Sequence, residues 1–194
     1  MLSLKRASMA AALLVAIGCR GDTDGALIDS APGGLGDAVD MTGTQMNDRE
    51  IVGAMVAANA AEITLSQVAV ERATNPAVKS FAQMMITDHR AMNERIHALG
   101  RQLNVTSTAS ERTEDLADLA DDAAEDLREQ SGAEFDRAYM DKMVASHEET
   151  LEIVNRAVES TNTAQLDQAL ADARTKVQQH LQRAREIHGT LQQE

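Results

Sequence analysis

A chain of 194 residues is long enough for one compact domain with extensions. Aromatic residues make up only 2% of it and tryptophan is absent, so the core must be built from Leu, Ile, Val, Ala and ten methionines, a palette that suits packed helices better than a β-sandwich. A formal charge of −13 and an isoelectric point near 4.7 argue against nucleic acid and anionic lipid headgroups as partners, because the long-range field repels both.

The N-terminus reads as a targeting segment. Lys5 and Arg6 precede an apolar, small-residue run from Ala7 to Gly18 that is too short to span a bilayer. It ends in Ala16-Ile17-Gly18-Cys19, which resembles a bacterial lipobox with Ala16 where Leu is usual. Residues 1–19 are therefore expected to be a signal peptide, with Cys19 lipidated and carrying the mature protein. Cleavage after Gly18 without lipidation is the alternative. Cys19 is the sole cysteine, which leaves the mature domain without a disulfide. No other segment reads as apolar enough to cross a membrane. These features place the protein in the bacterial cell envelope, as a periplasmic or outer-membrane lipoprotein or as a soluble periplasmic or secreted protein. Arg20, where Asp would signal retention, leans toward the outer membrane.

Residues 20–45 are rich in Gly, Asp and Ser without sustained periodicity and read as a tether with a reach on the order of 25–30 Å. The domain proper is expected over 46–194. Asn47 or Asp48 caps a first helix running to about Ala73, with Glu50 in its acidic first turn. Thr74-Asn75-Pro76 turns the chain, with Asn75 as cap and Pro76 at the first position of a second helix reaching about Gln102. After a polar connection over 104–110, Glu111–Glu129 is helical and carries nine acids against Arg112 and Arg128. Its apolar stripe is Leu116, Leu119, Ala123 and Leu127, and its acidic face reads as solvated surface. Ser131-Gly132 ends it. A third long helix spans Ala133 to about Glu159, and the turn at 160–163 leads into a fourth that reaches almost to the end. Short links favour antiparallel neighbours, so the residues predict an all-α fold: a four-helix bundle with an additional short acidic helix between the second and third long helices.

Each long helix carries one ionisable residue where an apolar one belongs. In the first helix the stripe is Ile51, Met55, Ala58, Glu62, Leu65, Ala69, and in the second Val78, Ala82, Met85, His89, Met92, Ile96, Leu99. In the third it is Met140, Val144, His147, Leu151, Val154, Val158. In the fourth it is Leu166, Leu170, Ala173, Val177, His180, Ala184, Ile187, Leu191. Steps of three and four put every member on one face. Measured from the turns, Glu62 and His89 differ in depth by only about 4–5 Å and His147 and His180 by about 7–8 Å. Burying such groups unpaired costs several kcal/mol, so they are expected to meet one another, a metal or trapped water. Phe81–His89 and Tyr139–His147 also echo one another without gaps, either from an old duplication or because two helices solve the same packing problem.

Glu62-Ile-Thr-Leu, then Asn75-Pro-Ala-Val-Lys-Ser-Phe-Ala-Gln-Met-Met-Ile-Thr-Asp-His89, then Phe135-Asp-Arg-Ala-Tyr139-Met, together with His147 and His180-Leu, resemble the bacterial domain-of-unknown-function 4142 family over residues 47–191. The resemblance implies a ferritin-like four-helix bundle in the cell envelope, and no characterised activity.

Three imidazoles and one carboxylate suit one zinc, iron or copper ion, with Glu62, His89, His147 and His180 as ligands. They do not suit the ferritin di-iron pattern of paired Glu-x-x-His motifs. The literal match, Glu94-Arg-Ile-His97, lies beside its apolar stripe and reads as a surface ion pair. Met85 and Met143 each precede a core histidine by one turn and offer thioethers to copper, though methionine in a core is also ordinary packing. Asp88 and Glu148 adjoin the histidines in sequence, and Tyr139 lies two turns before His147. All five are candidates for supporting the ligands rather than binding the ion. The competing expectation is a non-enzymatic structural or stress-related envelope interaction protein whose buried Glu/His layer only specifies packing. No nucleophile motif, phosphate-cradling glycine loop, Cys-x-x-Cys or basic patch is present, so the membrane anchor is the one partner the sequence names.

Overall fold

A computed structural model describes residues 46–105 and 111–193, side chains of 111–115 excepted. The expected signal peptide, Cys19 and the expected tether lie outside the described residues. The described chain is all-helical and contains no strand: α1 (Asp48–Arg72), α2 (Pro76–Gln102), α3 (Glu111–Glu129), α4 (Gly132–Ser160) and α5 (Ala164–Leu191). These bounds fall within a residue or two of those the capping signals predict.

The ends form for local reasons. Asn47 Oδ1 accepts from the Arg49 and Glu50 amides at 3.0 and 3.1 Å, and Glu50 Oε2 accepts from the Asn47 amide at 2.8 Å, a reciprocal box that satisfies donors the first turn leaves open. Asn75 Oδ1 accepts from Ala77 N at 2.8 Å, ahead of α2. α2 ends in a Schellman turn. Asn104 takes a left-handed φ of 54°, and the Val105 amide donates to Gly100 O at 2.8 Å.

Two buried or half-buried acids lock the helix pairs together. Asp136, near the start of α4, is 1% exposed and accepts from Thr74 N (3.0 Å), Thr74 Oγ1 (2.5 Å) and Asn75 N (2.8 Å) in the α1–α2 turn. Asp48, at the start of α1, accepts from Thr161 Oγ1 at 2.9 Å and from Thr163 Oγ1 in the α4–α5 turn. The start of α1 thus meets the end of α4, and the reverse holds at the other end, so α1 and α4 run antiparallel. α1 packs along α2, α4 packs along α5, and α2 meets α5. α3 packs chiefly on α1.

α1 is therefore covered by α2, α3 and α4, and it is apolar nearly all round. One 18-residue stretch of it has a mean hydropathy of 1.3, long and apolar enough to cross a membrane by length and composition. This corrects the expectation that no segment beyond the leader is so apolar. Its 56% burial against neighbouring helices is the ordinary cause of such a composition in a core helix.

The α5 stripe is buried at all eight predicted positions. The α4 face is turned relative to its predicted stripe: Val144, Leu151 and Val158 are only half-buried, whereas Phe135, Tyr139, Met143, Ser146, Ile153 and Ala157 are buried. On α3, Leu119 is exposed, and Leu116, Ala120, Ala123, Ala124 and Leu127 face inward. The apolar core has two main clusters along the helices, with a small third one at Leu116 and Ile153. One cluster gathers Leu65, Val78, Met85, Phe135, Tyr139, Met143 and Ile187 with α3, and the other gathers Ile51, Ile96, Val154, Leu166 and Leu170. The ionisable residues of the four long helices lie between them.

Candidate metal centre

His89, His147 and His180 come from α2, α4 and α5 and are 3%, 1% and 1% exposed. Their ring centroids are 6.1 Å (His89–His147), 5.3 Å (His89–His180) and 5.5 Å (His147–His180) apart. One ring nitrogen from each lies within 4.8 Å of the others. A tetrahedral zinc with bonds near 2.0–2.1 Å holds its nitrogens about 3.4 Å apart, so a contraction of about 1.5 Å or less closes the triad on an ion.

The other nitrogen of each ring is bonded elsewhere, and those bonds fix the tautomers. His89 Nδ1 lies 2.8 Å from Asn59 Oδ1, and Asn59 is itself oriented because its Nδ2 donates to Asn93 Oδ1 at 2.8 Å. A carbonyl oxygen can only accept, so the His89 proton sits on Nδ1 and Nε2 keeps its lone pair. His147 Nδ1 donates to Met143 O, one turn earlier on α4, at 2.8 Å. His180 Nε2 lies 2.8 Å from Asp88 Oδ2 and donates to that carboxylate, which leaves Nδ1 free. The three remaining nitrogens, His89 Nε2, His147 Nε2 and His180 Nδ1, are buried without a hydrogen-bond partner. An imidazole held through one nitrogen with the other free is the arrangement that metal-binding histidines use.

Glu62 of α1 is buried at the same level but outside this triad. Its Oε1 accepts from Ser146 Oγ at 2.6 Å and stands 3.8 Å from His147 Nδ1, the nitrogen that donates to Met143 O. Its Oε2 is buried and unpartnered. Three of the four anticipated ligands are thus brought together, and the fourth abuts the back of His147.

The electrostatics favour neutral rings at His89 and His180. Burial pushes His89 well below its ordinary value, and the neighbouring His147 and His180 push it further. Burial also lowers His180, against the hydrogen bond and charge of Asp88. Burial works to raise the Asp88 carboxyl, but its bond from His180 and the Lys176 ammonium 3.4 Å away hold it below the usual range.

The remaining candidates divide. Asp88 supports a histidine, but it is His180 across the α2–α5 seam rather than its neighbour His89. Met143 contributes its backbone carbonyl, and Met85 is fully buried in the apolar cluster. Tyr139 is fully buried and bonds Ser66 Oγ at 2.9 Å; burial, and then the Glu62 charge, raise its hydroxyl beyond ordinary titration. Its ring lies 6.3 Å from Phe81 and stacks on Phe135. Glu148 points outward, and its Oε1 accepts from Arg185 at 2.6 Å, away from the imidazoles. Glu94 and His97 are exposed, as expected of surface residues, but no ion pair joins them among the described residues. Asn59, Asn93, Ser146 and Lys176 were not singled out from the sequence. The one available signal was Asn59 three residues before Glu62, a polar group inside the apolar run from Ile51 to Ala61.

The sequence signature of the family described as Domain of unknown function (DUF4142) matches residues 36–187, and the chain belongs to that family. No curated protein and no solved structure gives a significant match.

Proposed function

We propose that this protein holds one transition-metal ion, zinc, iron or copper, inside a ferritin-like antiparallel four-helix bundle to which α3 is the added helix. The observation that carries the proposal is the close approach of three buried imidazoles, each held through one nitrogen with the other unpartnered. The donor set fits borderline and softer divalent ions rather than magnesium or calcium, which take oxygen ligands. Three nitrogens leave a fourth position for water, a small substrate or a shifted Glu62, so the centre suits either storage and sensing of the ion or chemistry on a small ligand. The leader and Cys19 support an envelope location, on a lipid anchor.

The test is elemental analysis of the full chain purified without an affinity tag or chelator, beside a His89→Gln/His147→Gln double variant. Near-stoichiometric metal that is lost in the variant is the expected result. A protein that is metal-free and also refuses added zinc, copper and iron overturns the proposal. The second reading then stands: a layer whose bonds across α1–α2, α1–α4 and α2–α5 set helix register.

A further inference from the structure

The three histidines differ in what lies behind them. His89 leans on Asn59, which is 7% exposed, and His147 on the carbonyl of fully buried Met143. His180 leans on Asp88, whose side chain is 26% exposed, and Asp88 in turn pairs with Lys176, 38% exposed, at 3.4 Å. Asn93 also reaches the half-exposed shell, but it is uncharged and touches His89 only through Asn59. The His180 ring is therefore the single imidazole of the triad that spans directly from the free nitrogens to a charged group in contact with solvent.

We propose that Asp88 is the uptake residue of the centre: a divalent cation is captured at its carboxylate, displaces the Lys176 ammonium, and passes inward along the His180 ring to the triad. This rests on the metal-centre reading. The chemistry is that of exchange. A carboxylate already paired with one cation is a ready site for another, and Lys176 guards it as a built-in competitor. This pair also bridges the seam between α2 and α5, which pack on one another less extensively than α1 on α2 or α4 on α5.

The experiment follows cobalt(II) association with the metal-free full chain by stopped-flow absorbance, at low and moderate salt, and its release to a chelator. Asp88→Asn keeps an acceptor for His180 Nε2 but loses the charge, and is expected to slow association about tenfold with a flattened salt dependence. Lys176→Gln, which removes the competitor, is expected to speed it about threefold. Both end at the wild-type cobalt content, and Glu148→Gln, an exposed acid removed elsewhere, leaves the rate within about twofold. If Asp88→Asn associates at the wild-type rate and only releases faster, Asp88 merely orients His180 and the proposal falls. It falls equally if Lys176→Gln gives no acceleration, or if Asp88→Asn abolishes binding outright. Failure of the wild type to take up any cobalt or zinc instead sinks the metal-centre reading beneath it.

Discussion

Adding metal to the metal-free protein is expected to raise its melting temperature by an amount the site itself sets. Four buried polar atoms of this layer, Glu62 Oε2, His89 Nε2, His147 Nε2 and His180 Nδ1, have no partner, and each such atom costs about 1–3 kcal/mol. An ion that occupies the triad satisfies three of them and binds the folded state alone, because the ligands come from three different helices. At a free zinc concentration of about one hundred times Kd, linkage gives about 2.7 kcal/mol. For a chain of this length 1 kcal/mol corresponds to about 2–4 °C, so the expected rise is about 5–11 °C. The assay is thermal unfolding followed by circular dichroism, with and without zinc, on the wild type and on His89→Gln/His147→Gln. The readout is the zinc-dependent difference within each protein, which cancels any loss of intrinsic stability in the variant. The double variant is expected to show a rise below about 1 °C, since a single imidazole binds too weakly to be saturated. A wild-type melting temperature that zinc, copper and iron all leave unmoved refutes the reasoning, and equal rises in both proteins place the binding elsewhere.

The metal-free protein is expected to lose stability as pH falls from 7 to 5. His89 and His180 have lowered folded values, so their contribution is complete above the unfolded value of about 6.5 and is lost below it as the unfolded chain gains protons, with a slope of up to about 1.4 kcal/mol per pH unit for each group. Asp88, also lowered, adds a second loss only below about pH 3.9, and urea midpoints across pH check both windows. Asp136→Ala strips three hydrogen bonds from the α1–α2 turn and is expected to cost about 2–4 kcal/mol in urea unfolding while leaving the zinc-dependent rise intact. Gly100→Ala should destabilise by about 1–3 kcal/mol despite alanine's helix preference, because its Cβ would stand 2.6 Å from Val105 O. Gly189→Ala, with open space around the added methyl, should gain up to about 1 kcal/mol, and equal effects at the two positions would contradict the packing seen at the end of α2.

The helices were legible because their ends carry chemistry that acts locally: Asn47 with Glu50, Asn75 with Pro76, and Ser131-Gly132 all report on the turn they occupy. The α5 stripe was legible because that helix buries one face only. On α4 the period was right and the face only partly so: Met140, His147 and Val154 are buried, whereas Val144, Leu151 and Val158 are half-buried. The choice between Val144 and Met143, or between Leu151 and Ile153, is made by neighbouring helices rather than by spacing. The histidines were legible as misfits in apolar runs, and the crude depth mismatch assigned to His147 and His180 resolves to rings 5.5 Å apart. The bonds behind them were not legible. Asp88 points about 100° away from His89 along α2, and only the position of α5 converts that into a bond to His180. Asn59 and Ser146 are ordinary residues for a helix surface until the packing of α1 encloses them.

A layer that only set helix register would be expected to close on itself, and this one does not. Its donors are used up at the periphery: His89 Nδ1–H on Asn59, His147 Nδ1–H on Met143 O, His180 Nε2–H on Asp88, and the Ser146 hydroxyl on Glu62. What remains is three imidazole lone pairs without a partner, and every one is an acceptor. Acceptors facing one another repel, and burial between apolar clusters makes that repulsion costly. Rotating any one ring to supply a proton would break its peripheral bond, so the imbalance is built into the same contacts that hold the helices in place. A positive charge at the centre removes it. A proton does so at the expense of charging a ring whose burial already disfavours the charged form, as for His89. A metal ion would engage all three nitrogens at once without requiring any peripheral proton to move.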